Sequence, residues 1–395
     1  MVVGRGANLL RVLLVEDNPG DARLVTMALA ASGNPRFAVT HVVRLADALA
    51  HLRGDTPVDV VLLDLTLPDS SGIATLSRLQ EAAPNLAIVV MTGLDDPAFA
   101  DYALEVGAQD YLVKSDDPER TVVRAIRYAI TRMNAQLERQ ALMDRLSAQQ
   151  QRLMQELSAA RAMQFDLLPR PELTNGALAA LGMSVEAYFE PSSGIGGDLW
   201  GCLEAGPDCM SFYAFDFSGH GIGAALNVFR LHALIRDHWV PGRGPAETLA
   251  DLGSALSGLL GTGQFATMIL CTLDCRRDEL VWAAAGAPAP LAMVDGGMEF
   301  LDTTGLPLGL SKNPHYDNHS MPFPRGSTLF IYSDAVVEAT DDADQLLGEE
   351  ALAEMVAATI AADGRFSVDG LLDRLFARVR LPIEDDLTAV SISRL

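Results

Sequence analysis

From Leu10 onward, compact apolar runs take turns with stretches whose apolar residues recur at helical spacing. RVLLV (11–15) precedes EDN and the helix-period DARLVTMALAAS; FAVTHV precedes LADALAHL; VDVVLLDL precedes GIATLSRLQEAA. LAIVVMTG then precedes PAFADYALEVG, and QDYLVKS precedes a long helix starting near Pro118. Strand and helix periods alternate about five times, which predicts an α/β domain built on a parallel sheet. In such sheets the functional residues gather at the C-terminal ends of the strands.

The pattern then changes twice. Residues 118–168 hold no glycine, and their one proline is Pro118, with Glu119 in a favourable first-turn position. Leu142, Leu146, Leu153, Ala160, Met163 and Leu167 fit alternating heptad core positions, broken by Gln149 and Glu156. This reads as a dimeric coiled coil, or as a single long helix lying against its own domains. Pro169 and Pro171 oppose its continuation. From about Gly176, MSVEAYFEP, DLWGCLE, MSFYAFDF, FATMILCTLD, ELVWAAAG, APLAMVDG, GSTLFIYSD and DLTAVSIS read as strands, with fewer, grouped helical stretches between them. Many strands with grouped helices predict an α+β domain of two packed β-sheets flanked by helices. The expected organisation is therefore residues 8–130, a helical linker at 131–170, and a second domain at 171–395.

Composition narrows this little but usefully. A chain of 395 residues with 49% hydrophobic and 21% charged residues is long enough for two globular cores. A net charge of -23 argues against direct DNA binding, which needs a basic field. The four cysteines form no CxxC pair, and no apolar run reaches the roughly 18 residues of a membrane span, so a cytoplasmic setting is expected.

Four predicted strand ends in the first domain carry chemistry. Glu16 and Asp17 follow the first strand, Asp64 ends the third, Thr92 the fourth, and Lys114 the fifth. Clustered carboxylates repel one another unless a cation neutralises them, which implies a hard ion such as Mg²⁺. A carboxylate beside that ion can act as a nucleophile toward a phosphoryl group, with Lys114 and Thr92 placed to meet the resulting oxygens. VEDN, LLDLTLPDSSG, MTG and DYLVKS together resemble the response-regulator receiver domain over residues 10–130. The resemblance implies a flavodoxin-like, five-stranded parallel sheet, metal acids Glu16, Asp17 and Asp64, and phosphorylation of Asp64 by a cognate sensor histidine kinase. It makes Thr92, Tyr111 and Lys114 the switch residues; Ser115 stands where the family usually has proline.

In the second domain, Asp198 follows SSGIGG, Asp216 ends FYAFD, Asp334 ends STLFIYSD, and Asp385 and Asp386 precede the last strand. An acid beside an apolar strand is costly unless solvated, hydrogen-bonded or bound to a cation, and four such sites could build an all-oxygen cage for Mg²⁺ or Mn²⁺. Singly, each also reads as a turn or cap residue. AARAMQFDLLPRP, IGGDLWG, FDFSGHGIGAAL, FATMIL, YSDAVVEA and DDLTAVSI resemble, in that order, the PPM-type serine/threonine phosphatases of the SpoIIE/RsbU-like branch. The resemblance implies two Mn²⁺ or Mg²⁺ ions held by Asp198, Asp216, the Phe217 carbonyl, Asp334 and Asp386. Gly197, Gly219, His220 and Asp385 would support them.

Three residues depart from that pattern. Gly201 replaces a second acid, Ala335 a glycine and Ala287 a histidine. If position 335 needs positive φ, alanine costs about 1 kcal/mol there. The expected function is a response regulator whose Asp64 phosphorylation controls a metal-dependent protein phosphatase, homodimeric through the linker. Its expected substrate is a phosphorylated, STAS-like anti-sigma-factor antagonist. The rival is a phosphatase-fold adaptor that has lost turnover and binds a sigma factor or its regulator. A diguanylate-type reading of GGD in IGGDLWG fails because Leu and Trp follow it.

Overall fold

The computed structural model describes residues 9–93, 97–114, 118–170, 172, 176–192, 194–219, 221–261 and 263–395. The chain divides into two compact units that meet in sequence between Gln151 and Arg152.

The first unit runs β1 (Leu9–Val15), α1 (Pro19–Ala31), β2 (Arg36–Val42), α2 (Leu45–Leu52), β3 (Val60–Asp64), β4 (Thr66–Leu67), β5 (Ser70–Ser71), α3 (Ile73–Ala82), β6 (Ala87–Thr92), α4 (Pro97–Val106) and β7 (Asp110–Val113). Its five-stranded sheet is parallel throughout, in the order β2-β1-β3-β6-β7. The strand period of two sorts its side chains. Val12, Leu14, Leu62 and Val89 face Ala22, Val25 and Leu29 of α1. Leu13, Val15, Leu63 and Val90 face Leu45 of α2 and Leu76 and Leu79 of α3. With both faces covered, the central strands are apolar almost without interruption, which is why they were legible. The predicted α/β architecture is the observed one.

Helix α5 (Pro118–Phe165) is 48 residues long and crosses the division. Val122, Ala125, Ile126 and Ala129 are buried in the first unit, whereas Leu142, Leu146 and Leu153 are exposed. The expected heptad series stops short: the helix ends at Phe165, so Leu167 lies beyond it and packs into the second unit's core.

The second unit continues with α6 (Leu178–Ala180), β8 (Met183–Glu190), β9 (Asp198–Gly206), β10 (Cys209–Phe217), α7 (Ile222–His238), α8 (Pro245–Ser257), β11 (Ala266–Asp274), β12 (Glu279–Ala285), β13 (Leu291–Val294), β14 (Gly297–Phe300), β15 (His319–Pro322), β16 (Thr328–Tyr332), α9 (Ala335–Glu338), α10 (Gly348–Asp363), α11 (Val368–Phe376) and β17 (Leu387–Arg394). Two five-stranded sheets form, ordered β15-β12-β11-β10-β9 and β14-β13-β16-β17-β8. All their pairings are antiparallel. Their inner faces share one core, in which Trp200, Phe212, Ile269 and Trp282 of the first sheet meet Leu329, Ile331, Val390 and Ile392 of the second. Leu199, Tyr213 and Phe215 face outward onto Val228 and Leu231 of α7 and Leu249 of α8. Phe330 and Leu387 face outward onto Leu352, Val356 and Leu371 of α10 and α11. The result is helices, sheet, sheet, helices, the α+β sandwich expected from the strand-rich pattern.

Candidate functional site

Alternation along the strands decides where the second unit's acids point. On β10, Phe212 and Ala214 contact the inter-sheet core while Tyr213, Phe215 and Phe217 contact the helices. Asp216 therefore falls on the inner face. On β9, Trp200 and Cys202 face inward, so Asp198 does too. The two aspartates are direct partners in the antiparallel register of β9 and β10. Like charges placed opposite one another destabilise a sheet, so this pairing calls for a proton or a cation between them.

The second sheet completes the group. Thr388 Oγ1, on the inner face of β17, donates to Asp198 Oδ2 at 2.6 Å. Ser333 Oγ donates to the Asp386 carbonyl at 2.9 Å and accepts from Thr388 N–H at 2.9 Å, tying β16 to β17 beside the acids. Asp198, Asp216 and Asp334 line one cavity of about 20 Å³ together with Ser333 and Thr388, and no lysine or arginine shares its described lining. Asp386, buried, accepts from Ser192 N–H at 2.7 Å, Ser192 Oγ at 3.0 Å and Gly197 N–H at 2.5 Å. Asp385 is exposed and accepts from the Asp386 N–H at 2.8 Å.

Glycine makes this approach possible. A Cβ at Gly196 would run into the Asp386 carboxylate, and one at Gly197 would stand 3.0 Å from the Phe217 carbonyl oxygen and 3.1 Å from Asp216 Oδ1. Gly219 has φ +87°. His220 lies outside the described residues.

Burial without a counter-charge moves these acids together. Burial, then the charges of Asp334 and Asp385, push Asp216 up to about 8. Burial and the neighbouring Asp216 push Asp198 far above the carboxylate range. Asp334 is raised by burial and by Asp385. The donor set is all oxygen, collectively anionic, and opened by two bare glycine Cα atoms toward the Phe217 carbonyl. It suits hard divalent cations. Its carboxylates are spread around the cavity: among the described residues, no three of them bring ligand atoms within 4.8 Å of one another.

The departures look different in three dimensions. Gly201 sits on the other face of β9 from Asp198, and a Cβ there would run into the Tyr213 ring. Position 201 thus looks toward the helices in this chain and away from the carboxylates. Ala335 opens α9 with no positive φ, so the strain expected there does not arise. Ala287 lines the cavity itself.

In the first unit, Glu16, Asp17 and Asp64 bring ligand atoms within 4.8 Å of one another, with Glu16 and Asp64 buried and Asp17 exposed. Lys114 Nζ lies 2.7 Å from Glu16 Oε2, 2.6 Å from Asp64 Oδ2 and 2.9 Å from Asp21 Oδ2. Burial alone would lower the Lys114 pKa, but Asp21, Asp64 and Glu16 outweigh it and hold it above its ordinary value. Glu16 is raised by burial and by Asp64, against the opposing pull of Lys114. Three carboxylates gathered so closely suit Mg²⁺. Lys114 N–H donates to the Thr92 carbonyl at 2.8 Å, and Tyr111 packs, half-buried, on the cluster containing Leu63 and Val90.

Several residues here escaped sequence reasoning. Asp21 stands in the first turn of α1, four residues after Asp17, a nearness in sequence that could have flagged it. Thr388 shares the inner face with Val390, a period-two signal inside DDLTAVSI. Ser192 and Gln164 carried no signal beyond membership of a quoted or flanking stretch.

An α/β unit with an acid–lysine cluster at its strand ends, followed by a two-sheet sandwich with aspartates between its sheets, defines a two-domain signalling protein with a phosphatase-type fold. Residues 12–126 match the response regulator receiver domain model, and residues 206–395 match that of stage II sporulation protein E, SpoIIE. The chain accordingly joins a segment that matches the receiver domain to a segment that matches the SpoIIE-type PPM domain. It is 26% identical over 190 residues to the phosphoserine phosphatase RsbP of Bacillus subtilis, a match covering 47% of this chain and 46% of RsbP. It is 35% identical over 113 residues to the probable transcriptional regulatory protein TcrX of Mycobacterium tuberculosis, covering 29% of this chain and 47% of TcrX. The chain thus spans about half the length of these relatives. The SiaA-PP2C domain of Pseudomonas aeruginosa shares the fold, with a TM-score of 0.55, 22% identity, 63% of this chain covered and 99% of that domain. Among the described residues no helix is long and apolar enough to cross a membrane.

Proposed function

We propose that residues 171–395 are a metal-dependent protein serine/threonine phosphatase and that residues 8–130 are a receiver that regulates it through Asp64. One observation carries the reading: Asp198 and Asp216 face each other across adjacent strands inside a cavity whose described lining offers no basic side chain. Asp216, the Phe217 carbonyl, Asp334 and Asp386 would hold two Mn²⁺ or Mg²⁺ ions, with Asp198 beside the second. When bound, such ions supply Lewis acidity toward a phosphoryl oxygen and lower the pKa of water. The protein's part is to gather the carboxylates and aim them. Thr388 fixes one Asp198 oxygen, while Ser192 and Gly197 fix both oxygens of Asp386. Asp385, exposed at the rim, takes an orienting role.

In the receiver, Glu16, Asp17 and Asp64 would hold Mg²⁺. The Asp64 carboxylate would form a P–O bond to the phosphoryl group of a phosphohistidine as its P–N bond breaks and the imidazole leaves, and Lys114, 2.6 Å from Asp64 Oδ2, would pair with the new charge. The similarity to RsbP and the SpoIIE family supports a phosphoserine or phosphothreonine protein as substrate, specifically a STAS-like anti-sigma-factor antagonist. The donor would be a cognate histidine kinase.

The decisive experiment is Mn²⁺-dependent hydrolysis of an aryl phosphate and of a phosphorylated antagonist, comparing wild type with Asp216→Ala. Turnover that requires Mn²⁺ and falls at least 100-fold in the variant is expected. Turnover without metal, or unchanged in the variant, overturns the mechanism. Absence of turnover with tight partner binding selects the adaptor.

A further inference from the structure

Gln164 lies in the last turn of α5 and is fully buried, an unusual place for a side-chain amide. Its amide satisfies itself on a single piece of backbone. Gln164 Oε1 accepts from the Gly196 N–H at 3.0 Å, and its Nε2 donates to the Gly196 carbonyl at 3.0 Å and to the Asp198 carbonyl at 3.2 Å. The opposite side of the same backbone is held by Asp386, which takes the Gly197 N–H. The three residues Gly196–Asp198 are thus gripped between a helix side chain and an acid just before the last strand. The closing turns of α5 are themselves pinned: Arg161 pairs with Glu190 at 2.9 Å, and Phe165 meets Phe189 edge-on at 5.2 Å, both partners lying on β8.

We propose that Gln164 is a positioning residue that sets Asp198 for metal binding and makes that setting depend on the state of helix α5. The inference rests on the reading of Asp198 as a metal residue. Gln164 touches no carboxylate; it acts through the backbone that carries Asp198. Its three hydrogen bonds come from one planar group, so a turn or slide of α5 breaks them together and the response is stepwise. That helix begins at Pro118, and its first turns carry Val122, Ala125 and Ile126 in the receiver core. A receiver transition that moves those residues acts on a helix that continues in sequence to Gln164.

The test uses the full chain and two readouts. Hydrogen exchange at the Gly196 amide reads the grip without metal, and calorimetric titration with Mn²⁺ reads the site without substrate. Gln164→Met keeps the volume and loses all three bonds; Gln164→Glu keeps the acceptor for Gly196 alone. The Met variant is expected to exchange Gly196 at least 10-fold faster and to bind Mn²⁺ at least 10-fold more weakly. The Glu variant should recover Gly196 protection, and it carries the test if the Met variant fails to fold. Saturating beryllofluoride with Mg²⁺ should change Gly196 exchange in wild type and not in Gln164→Met.

Unchanged exchange and Mn²⁺ affinity in both variants would overturn the proposal. So would a beryllofluoride response that is absent in wild type or equal in wild type and Gln164→Met. Wild type that binds no Mn²⁺ at all sinks the phosphatase reading itself, a result distinct from any difference between the variants.

Discussion

At the scale of single residues, the second domain's site is an arrangement of unfavourable charges held by good geometry. Gly196 illustrates how little room is left, because a methyl group there would meet the Asp386 carboxylate. Gly196→Ala should therefore abolish Mn²⁺ affinity, by at least 100-fold in titration, while costing the fold only about 1–3 kcal/mol in a denaturant melt. The acids also predict a pH signature. Asp216 is raised to about 8 in the metal-free protein. A raised carboxylate binds its proton more tightly folded than unfolded, so its contribution is complete below the ordinary value near 3.8 and is lost as pH rises through about 8. In chelator, the stability difference between wild type and Asp216→Asn should move in the variant's favour across that window, and Mn²⁺ should restore wild type above pH 7. A difference independent of pH would show that Asp216 is not strained. These residues were legible as acids beside apolar strands. Their convergence was not, because it depends on two sheets meeting face to face, which no local spacing encodes.

At the scale of elements, legibility tracked how completely an element is buried. β3 and β6 are buried along nearly their whole length and stand out as continuous apolar runs. β14 and β15 were not anticipated; they are four-residue edge strands, too short and too exposed to stand out as apolar runs. Gln164 stayed hidden for a related reason: a helix pattern marks which positions are apolar, and a buried amide breaks that pattern without announcing its partner. Helix α5 leaves Leu142, Leu146 and Leu153 exposed at heptad spacing. If two copies pair along this seam, Leu146→Lys together with Leu153→Lys should convert a dimer to a monomer in sedimentation equilibrium and leave the receiver fold intact. A wild-type chain that is monomeric at micromolar concentration defeats the pairing.

At the scale of the whole molecule, the two units keep separate cores and separate acid clusters, and they treat like charge in opposite ways. The receiver places its own cation, Lys114, among Glu16, Asp21 and Asp64. The second unit supplies no such residue in its described cavity lining and leaves the charge to be met from solution. A chain of net charge -23 concentrates divalent cations around itself, so such a demand is easily met at low ionic strength and less so at high.

The position of β17 has a biosynthetic consequence. It is hydrogen-bonded between β16 and β8, so the first strand of the second unit finds its neighbour only in the last. A ribosome has already delivered Asp198 and Asp216 long before Asp386 and Thr388 emerge. Until then the half-made sheet exposes the inner edge of β8, and the acids lack the two residues that fix them. The nascent unit therefore lacks its assembled acid site and is vulnerable to mispairing until β17 has emerged.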